Sequence, residues 1–198
     1  QGFGNVGSYA AKFLHEYGCK IIGVSDISGG LYASDGFDVD ELFDYNYEHR
    51  TIKGYQHGKK ITNEELLALD CDFLIPAALG SAINEDNVNS LNCKIIIEAA
   101  NGPVTGEAAN RLWKKKIAII PDILTNAGGV TVSYFEWVQN LQQFKWPEDE
   151  INQKLEQKMV AAFNEVYSVK QNKNVPMRIA SFMVAIDRVS TAFNLREG

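Results

Sequence analysis

The sequence opens on a glycine turn. Gln1 leads directly into Gly2-Phe3-Gly4-Asn5-Val6-Gly7, spaced G-x-G-x-x-G. Few short patterns constrain a backbone so tightly. The first glycine permits a sharp turn. The second removes a Cβ that would keep a ligand off the main chain. The third lets a helix pack closely on a strand. Such a turn ordinarily leaves a buried strand and enters a helix whose free N–H groups and positive dipole end suit a diphosphate. The strand's residues would stand before Gln1. The expectation is therefore a piece of a longer chain, with its first strand missing or truncated.

An acidic partner stands where such a turn needs one. Asp26 follows Gly7 by nineteen residues and ends the apolar run Lys20–Ser25. A carboxylate there accepts from a ribose 2′-OH. The competing reading makes Asp26 an ordinary turn residue and the glycines purely structural. The combination favours a dinucleotide site. A carboxylate also repels a 2′-phosphate, and residues 25–35 hold no Arg or Lys. The expected cofactor is NAD, with NADP as the alternative.

The rest of the chain fits an α/β frame. Val6, Ala10, Phe13, Leu14 and Tyr17 recur on one helical face, and Gly18 ends the helix. Lys20–Ser25 reads as a buried strand, and Leu31-Tyr32 as a brief extended piece. A helix is expected over 38–50, a loop over 54–60, and a capping box at Thr62 and Glu65. Strands follow at 73–75, 94–97 and 117–120, separated by helices at 84–91 and 106–115. That alternation predicts a Rossmann-like, doubly wound, mostly parallel sheet. From Asn126 onward only helices are expected, over 130–143, 148–170 and 176–195. The domains read as 1–125, dinucleotide-binding, and 126–198, C-terminal helices.

Composition removes several classes of function. The 198 residues are 45% hydrophobic, enough for a full core, and the net charge is −6. That balance disfavours nucleic-acid and anionic-membrane partners, which need a basic face. No apolar run reaches the length of a membrane span. Cys19, Cys71 and Cys93 are scattered and odd in number, which fits neither a disulfide framework nor a thiol metal site. They point to a reducing, intracellular compartment. The three histidines show no ligand spacing, so no metal is expected.

Ligands gather beyond the carboxyl ends of parallel strands. Residues 76–80, 98–103 and 121–129 stand there and are rich in small side chains. Asn101 and Asn126 each supply a donor and an acceptor, which a carboxamide requires. From the residues alone, a plain turn at Asn101-Gly102-Pro103 and a helix cap at Asn126 fit equally well.

Four segments carry a resemblance. Gly2–Gly7, Ile75-Pro76-Ala77-Ala78, Ala100-Asn101-Gly102-Pro103 and, most specifically, Asn126–Trp137 (NAGGVTVSYFEW) resemble glutamate dehydrogenase. The likeness covers essentially the whole chain. It implies oxidative deamination of L-glutamate to 2-oxoglutarate and ammonia, by hydride transfer to the cofactor. It implies a cofactor site of Gly2, Phe3, Gly4, Asn5, Val6, Gly7, Asp26 and Ile27, with Ala77 and Ala78 near the adenosine or ribose. Asn101 and Asn126 would lie near the nicotinamide and its ribose. Val130 and Ser133 would contact the substrate, Ser133 through the side-chain carboxylate. Relatives acting on aliphatic or aromatic amino acids need an apolar pocket there. The family's catalytic lysine and aspartate come from an N-terminal domain with no match here. The C-terminal helices would contact that domain. This chain therefore carries no catalytic residue and is expected to be inactive alone. The whole protein is expected to form a homohexamer, in the cytoplasm or the mitochondrial matrix. The alternatives are another amino-acid dehydrogenase of the superfamily, or a non-catalytic nucleotide-binding module. A methyltransferase would leave both asparagine loops unexplained.

Overall fold

The computed structural model describes residues 1–197. The chain forms two compact units, Gln1–Ala118 and Ile119–Gly198.

The first unit begins with the glycine turn and helix α1, Asn5–Glu16. Its buried residues are Ser8 and Ala11, whereas Val6, Phe13 and Tyr17 of the expected apolar face are exposed. The helix packs by its small side chains, and Tyr9 meets Phe43 edge-on at 5.0 Å. Strand β1, Gly23–Asp26, follows. It pairs with the next strand in antiparallel sense. A tight turn at Ile27-Ser28 reverses the chain into β2, Gly29–Tyr32, with Asp26 opposite Gly29. Parallel pairing needs a crossover of a dozen or more residues, and a two-residue link permits only an antiparallel hairpin. Gly29, at φ +127°, makes the reversal possible.

Helix α2, Val39–His49, starts where Asp38 accepts from the Glu41 amide. The polar stretch after it does not stay a loop, because β3, Lys59–Ile61, pairs antiparallel with β2. Helix α3, Asn63–Leu67, carries the expected capping box. Thr62 accepts from the Glu65 amide at 3.1 Å, and Glu65 accepts from the Thr62 amide at 2.7 Å.

A second sheet has the order β4-β5-β6. Strands β4, Asp70–Leu74, and β5, Asn92–Ile97, run parallel. Strand β6, Ala118–Ile120, is where the first unit ends. Helix α4, Gly106–Lys114, lies between β5 and β6 in the chain and is capped by Thr105. No helix forms over 84–91. Asn87 accepts from the Asn84 amide, and Asn84 from the Asp86 amide, and the segment stays in turns, with the Val88 amide on the Asn84 carbonyl and the Ser90 amide on the Asn87 carbonyl. The core around the glycine turn holds Phe3, Val24, Leu31, Val39, Leu42 and Ile52.

The second unit is helical: α5 Asp122–Thr125, α6 Ala127–Gln142, α7 Glu148–Lys173 and α8 Met177–Glu197. Leu124, Val166, Met177, Ala180 and Val184 form its core. An Asp122–Arg178 pair at 2.9 Å fixes α5 against α8.

Candidate functional site

The three glycines of the turn have different neighbours. A Cβ on Gly2, whose φ is +88°, would stand 2.8 Å from the Ala78 Cβ and amide nitrogen. A Cβ on Gly7 would fall 1.8 Å from the Gly2 carbonyl oxygen. Both positions are explained by the protein's own packing. A Cβ on Gly4 would meet nothing within 4 Å. Its missing side chain serves space outside the chain.

Backbone bonds hold this turn in place. The Gly2 and Phe3 amides donate to the Ser25 carbonyl at 2.8 and 2.7 Å. The Ala77 amide donates to the Gln1 carbonyl at 2.8 Å, and the Gln1 amine donates to the Ile75 carbonyl at 3.0 Å. Residues 1–3 thus tie the end of β1 to the end of β4. Gly4 caps α1 without a side-chain bond, and no acidic residue occupies the first turn. Asn5 and Val6 are exposed there. The helix start offers amides that need an acceptor.

The strand ends continue the same edge. Ala99 and Ala100 donate to the Pro76 carbonyl at 3.1 and 2.9 Å, bringing the segment after β5 against the one after β4. A Cβ on Gly80 would lie 3.3 Å from the Asn101 carbonyl oxygen. Gly2–Gly7, Asp26, Ile27, Ala77, Ala78 and Asn101 therefore all belong to one unit and cluster at one end of its strands. Glu98, fully buried just after β5, is a polar core residue that no sequence signal marks.

Asp26 is held on both sides. Its Oδ1 accepts from the Ser28 amide at 2.7 Å and the Ser28 hydroxyl at 2.5 Å. Its Oδ2 accepts from the Thr51 hydroxyl at 2.5 Å and the Ile52 amide at 2.9 Å. Burial pushes its carboxyl up, but the bonds from Ser28, Thr51 and Ile52 outweigh it and hold it below the usual carboxylate range. Ile27 beside it is fully exposed. The local absence of cations over 25–35 is only part of the surroundings. The loop that meets Asp26 also carries Arg50 and Lys53, and the Arg50 guanidinium lies over the Tyr47 ring at 5.1 Å. Twenty-five residues separate Thr51 from Asp26, so spacing gave no sign of it.

Asn126, Val130 and Ser133 belong to the second unit. Asn126 stands at the start of α6 without making the side-chain capping bond. Val130 and Ser133 are exposed and three residues apart, hence on one face of α6. The Ser133 hydroxyl donates to the Gly129 carbonyl at 3.2 Å. Among the described residues no group of acidic, His or Cys side chains could hold a metal ion, and no helix is long and apolar enough to cross a membrane.

The model of the family described as Glutamate/Leucine/Phenylalanine/Valine dehydrogenase matches residues 1–197. The chain belongs to that family. It is 52% identical over 197 residues to a glutamate dehydrogenase of Thermotoga maritima, covering 99% of this chain and 47% of that protein. It is 48% identical over 196 residues to the cryptic catabolic NAD-specific glutamate dehydrogenase of Bacillus subtilis, covering 99% of this chain and 46% of that protein. The chain therefore spans about half the length of the curated relatives it matches. Its fold matches the crystal structure of the hetero-hexameric glutamate dehydrogenase of Thermus thermophilus, in its Leu-bound form. The TM-score is 0.92 at 28% identity, over 99% of this chain and 46% of that one. The α/β class is that of these dehydrogenases.

Proposed function

We propose that this chain is the cofactor-binding part of an NAD-dependent glutamate dehydrogenase. One observation carries the reading: Gly2 and Gly7 are packed against the protein, and Gly4 faces open space at an uncapped helix start. A pyrophosphate fits such a cradle, because the amides of the turn and of α1 supply donors. When bound, NAD supplies the hydride acceptor. The residues of this chain hold and orient it: the turn takes the diphosphate, Asp26 the ribose, and Asn101 and Asn126 the carboxamide end. Val130 and Ser133 touch the amino-acid substrate. A hydroxyl at Ser133 suits a carboxylate, whereas left against an aliphatic side chain it would cost about 1–3 kcal/mol. The 198-residue chain supplies none of the catalytic lysine and aspartate, so it has no turnover. The whole protein assembles as a homohexamer. The bacterial origin of the named relatives favours the cytoplasm over the matrix. Titration with NADH followed by nicotinamide fluorescence tests the reading. Saturable binding is expected, lost in Gly4→Val; an absence of binding, or binding indifferent to Gly4→Val, overturns it.

We propose further that the two sheets are halves of one doubly wound sheet. A cleft of about 510 Å³ separates the edges of β1 and β4, floored by Ala10, Ala11 and Leu14 of α1. Ile22 turns its carbonyl towards the β2 side, where it accepts from Ala33, while Ser25 turns its carbonyl to the cleft. By the two-residue period, Gly23 faces the cleft too, as do Cys71, Phe73 and Ile75 of the opposite edge. Gln1 already bonds to the Ile75 carbonyl and the Ala77 amide there. One extended apolar strand running into Gln1 completes both ladders. Extending the chain at Gln1 with six Val and Ile residues should slow amide exchange at Gly23, Ser25, Cys71 and Phe73. Unchanged exchange at those amides overturns the assignment.

A further inference from the structure

The hydrogen bonds around Asp26 carry an inference about selectivity, which rests on the dinucleotide reading of the same site. An ionised carboxylate offers about four acceptor positions. All four are met by protein donors, two from Ser28 and two from Thr51 and Ile52. The two pairs differ in kind. Ser28 lies two residues along the same hairpin turn, where any Asp makes this local bond. Thr51 and Ile52 come from the loop after α2, and only they fix the carboxylate relative to that loop.

The Thr51 hydroxyl has little freedom. It accepts from the Lys53 amide at 3.1 Å, and its proton goes to Asp26. A ribose 2′-OH can replace the exposed Ser28 hydroxyl at Oδ1, because one hydroxyl donor replaces another at the same lone pair, while Thr51 keeps Oδ2. A 2′-phosphate brings negative charge to a carboxylate that cannot turn away. We propose that Thr51 is a positioning residue: its hydroxyl fixes Asp26 so that an unphosphorylated ribose is preferred to a 2′-phosphorylated one.

Loss of that hydroxyl leaves Oδ2 with the Ile52 amide alone, so the carboxylate is held less firmly against the loop. Arg50 and Lys53 on the same loop are then the charges a 2′-phosphate meets. Discrimination falls because the repulsive charge is less firmly aimed while the attractive ones remain.

The test uses ADP-ribose and 2′-phospho-ADP-ribose, which need only the diphosphate turn and the ribose end. Their dissociation constants are measured by calorimetry on the unsubstituted chain and on Thr51→Val and Thr51→Ser. Should Thr51→Val fail to fold, Thr51→Ala removes the same hydroxyl with less change of shape. The unsubstituted chain should prefer ADP-ribose by about tenfold or more. Thr51→Val should narrow that preference to about threefold or less, and Thr51→Ser should keep it. The pH titration of the Asp26 carboxyl carbon, followed by NMR, should move upward in Thr51→Val only. An unchanged preference in Thr51→Val overturns the proposal, even if the titration moves, because Thr51 is then merely structural. Binding of neither compound by the unsubstituted chain overturns the dinucleotide reading itself, and this proposal with it.

Discussion

Gly4 and Gly7 separate folding from binding within one turn. Gly7→Ala drives a methyl group into the Gly2 carbonyl, a backbone atom that cannot step aside. It should destabilise the chain by about 1–3 kcal/mol, read from urea midpoints. Gly4→Ala adds a methyl group in open space. Its urea midpoint should stay put while NADH affinity drops about tenfold or more. Residues of this turn are legible in the sequence because their spacing is local. The partners of Asp26 are not, because Thr51 reaches it only through the folding of α2 and β3.

The elements follow local chemistry wherever that chemistry is strong. Thr62 and Glu65 announce α3, Asp38 announces α2, and the runs at 73–75 and 94–97 become the parallel pair β4 and β5. Thr62→Ala should cost about 1 kcal/mol, measured by thermal or urea unfolding, since it removes one half of a reciprocal cap. The short link at Ile27-Ser28 makes β2 run back along β1, a direction that an apolar run alone does not give. The stretch 84–91 has a helical rhythm, yet it forms only turns, closed by the Val88 amide on the Asn84 carbonyl and the Ser90 amide on the Asn87 carbonyl. The apolar stripe of α1 also misled, because that helix buries its smallest side chains.

At the scale of the whole molecule, the proposed function makes this chain the binding part and leaves the chemistry to residues outside it. Purified, it should show no NAD-dependent glutamate oxidation in an absorbance assay; measurable turnover would refute its assignment as the cofactor-binding part. In the second unit, Val130, Trp137 and Leu141 of α6 and Ile186 and Val189 of α8 remain exposed. Family membership was legible across the full length, since the Asn126–Trp137 run is long and specific. The switch to helices reads at Asn126, and the compact units divide a little earlier, after Ala118.

The bare flanks of β1 and β4 bear on how the molecule behaves in a test tube. Beyond the groups already bonded to Gln1, Gly2 and Phe3, neighbouring molecules at high concentration can pair with the peptide groups along these edges. Material stored concentrated should thicken into sideways-stitched aggregates, and a short blocking peptide should keep it clear.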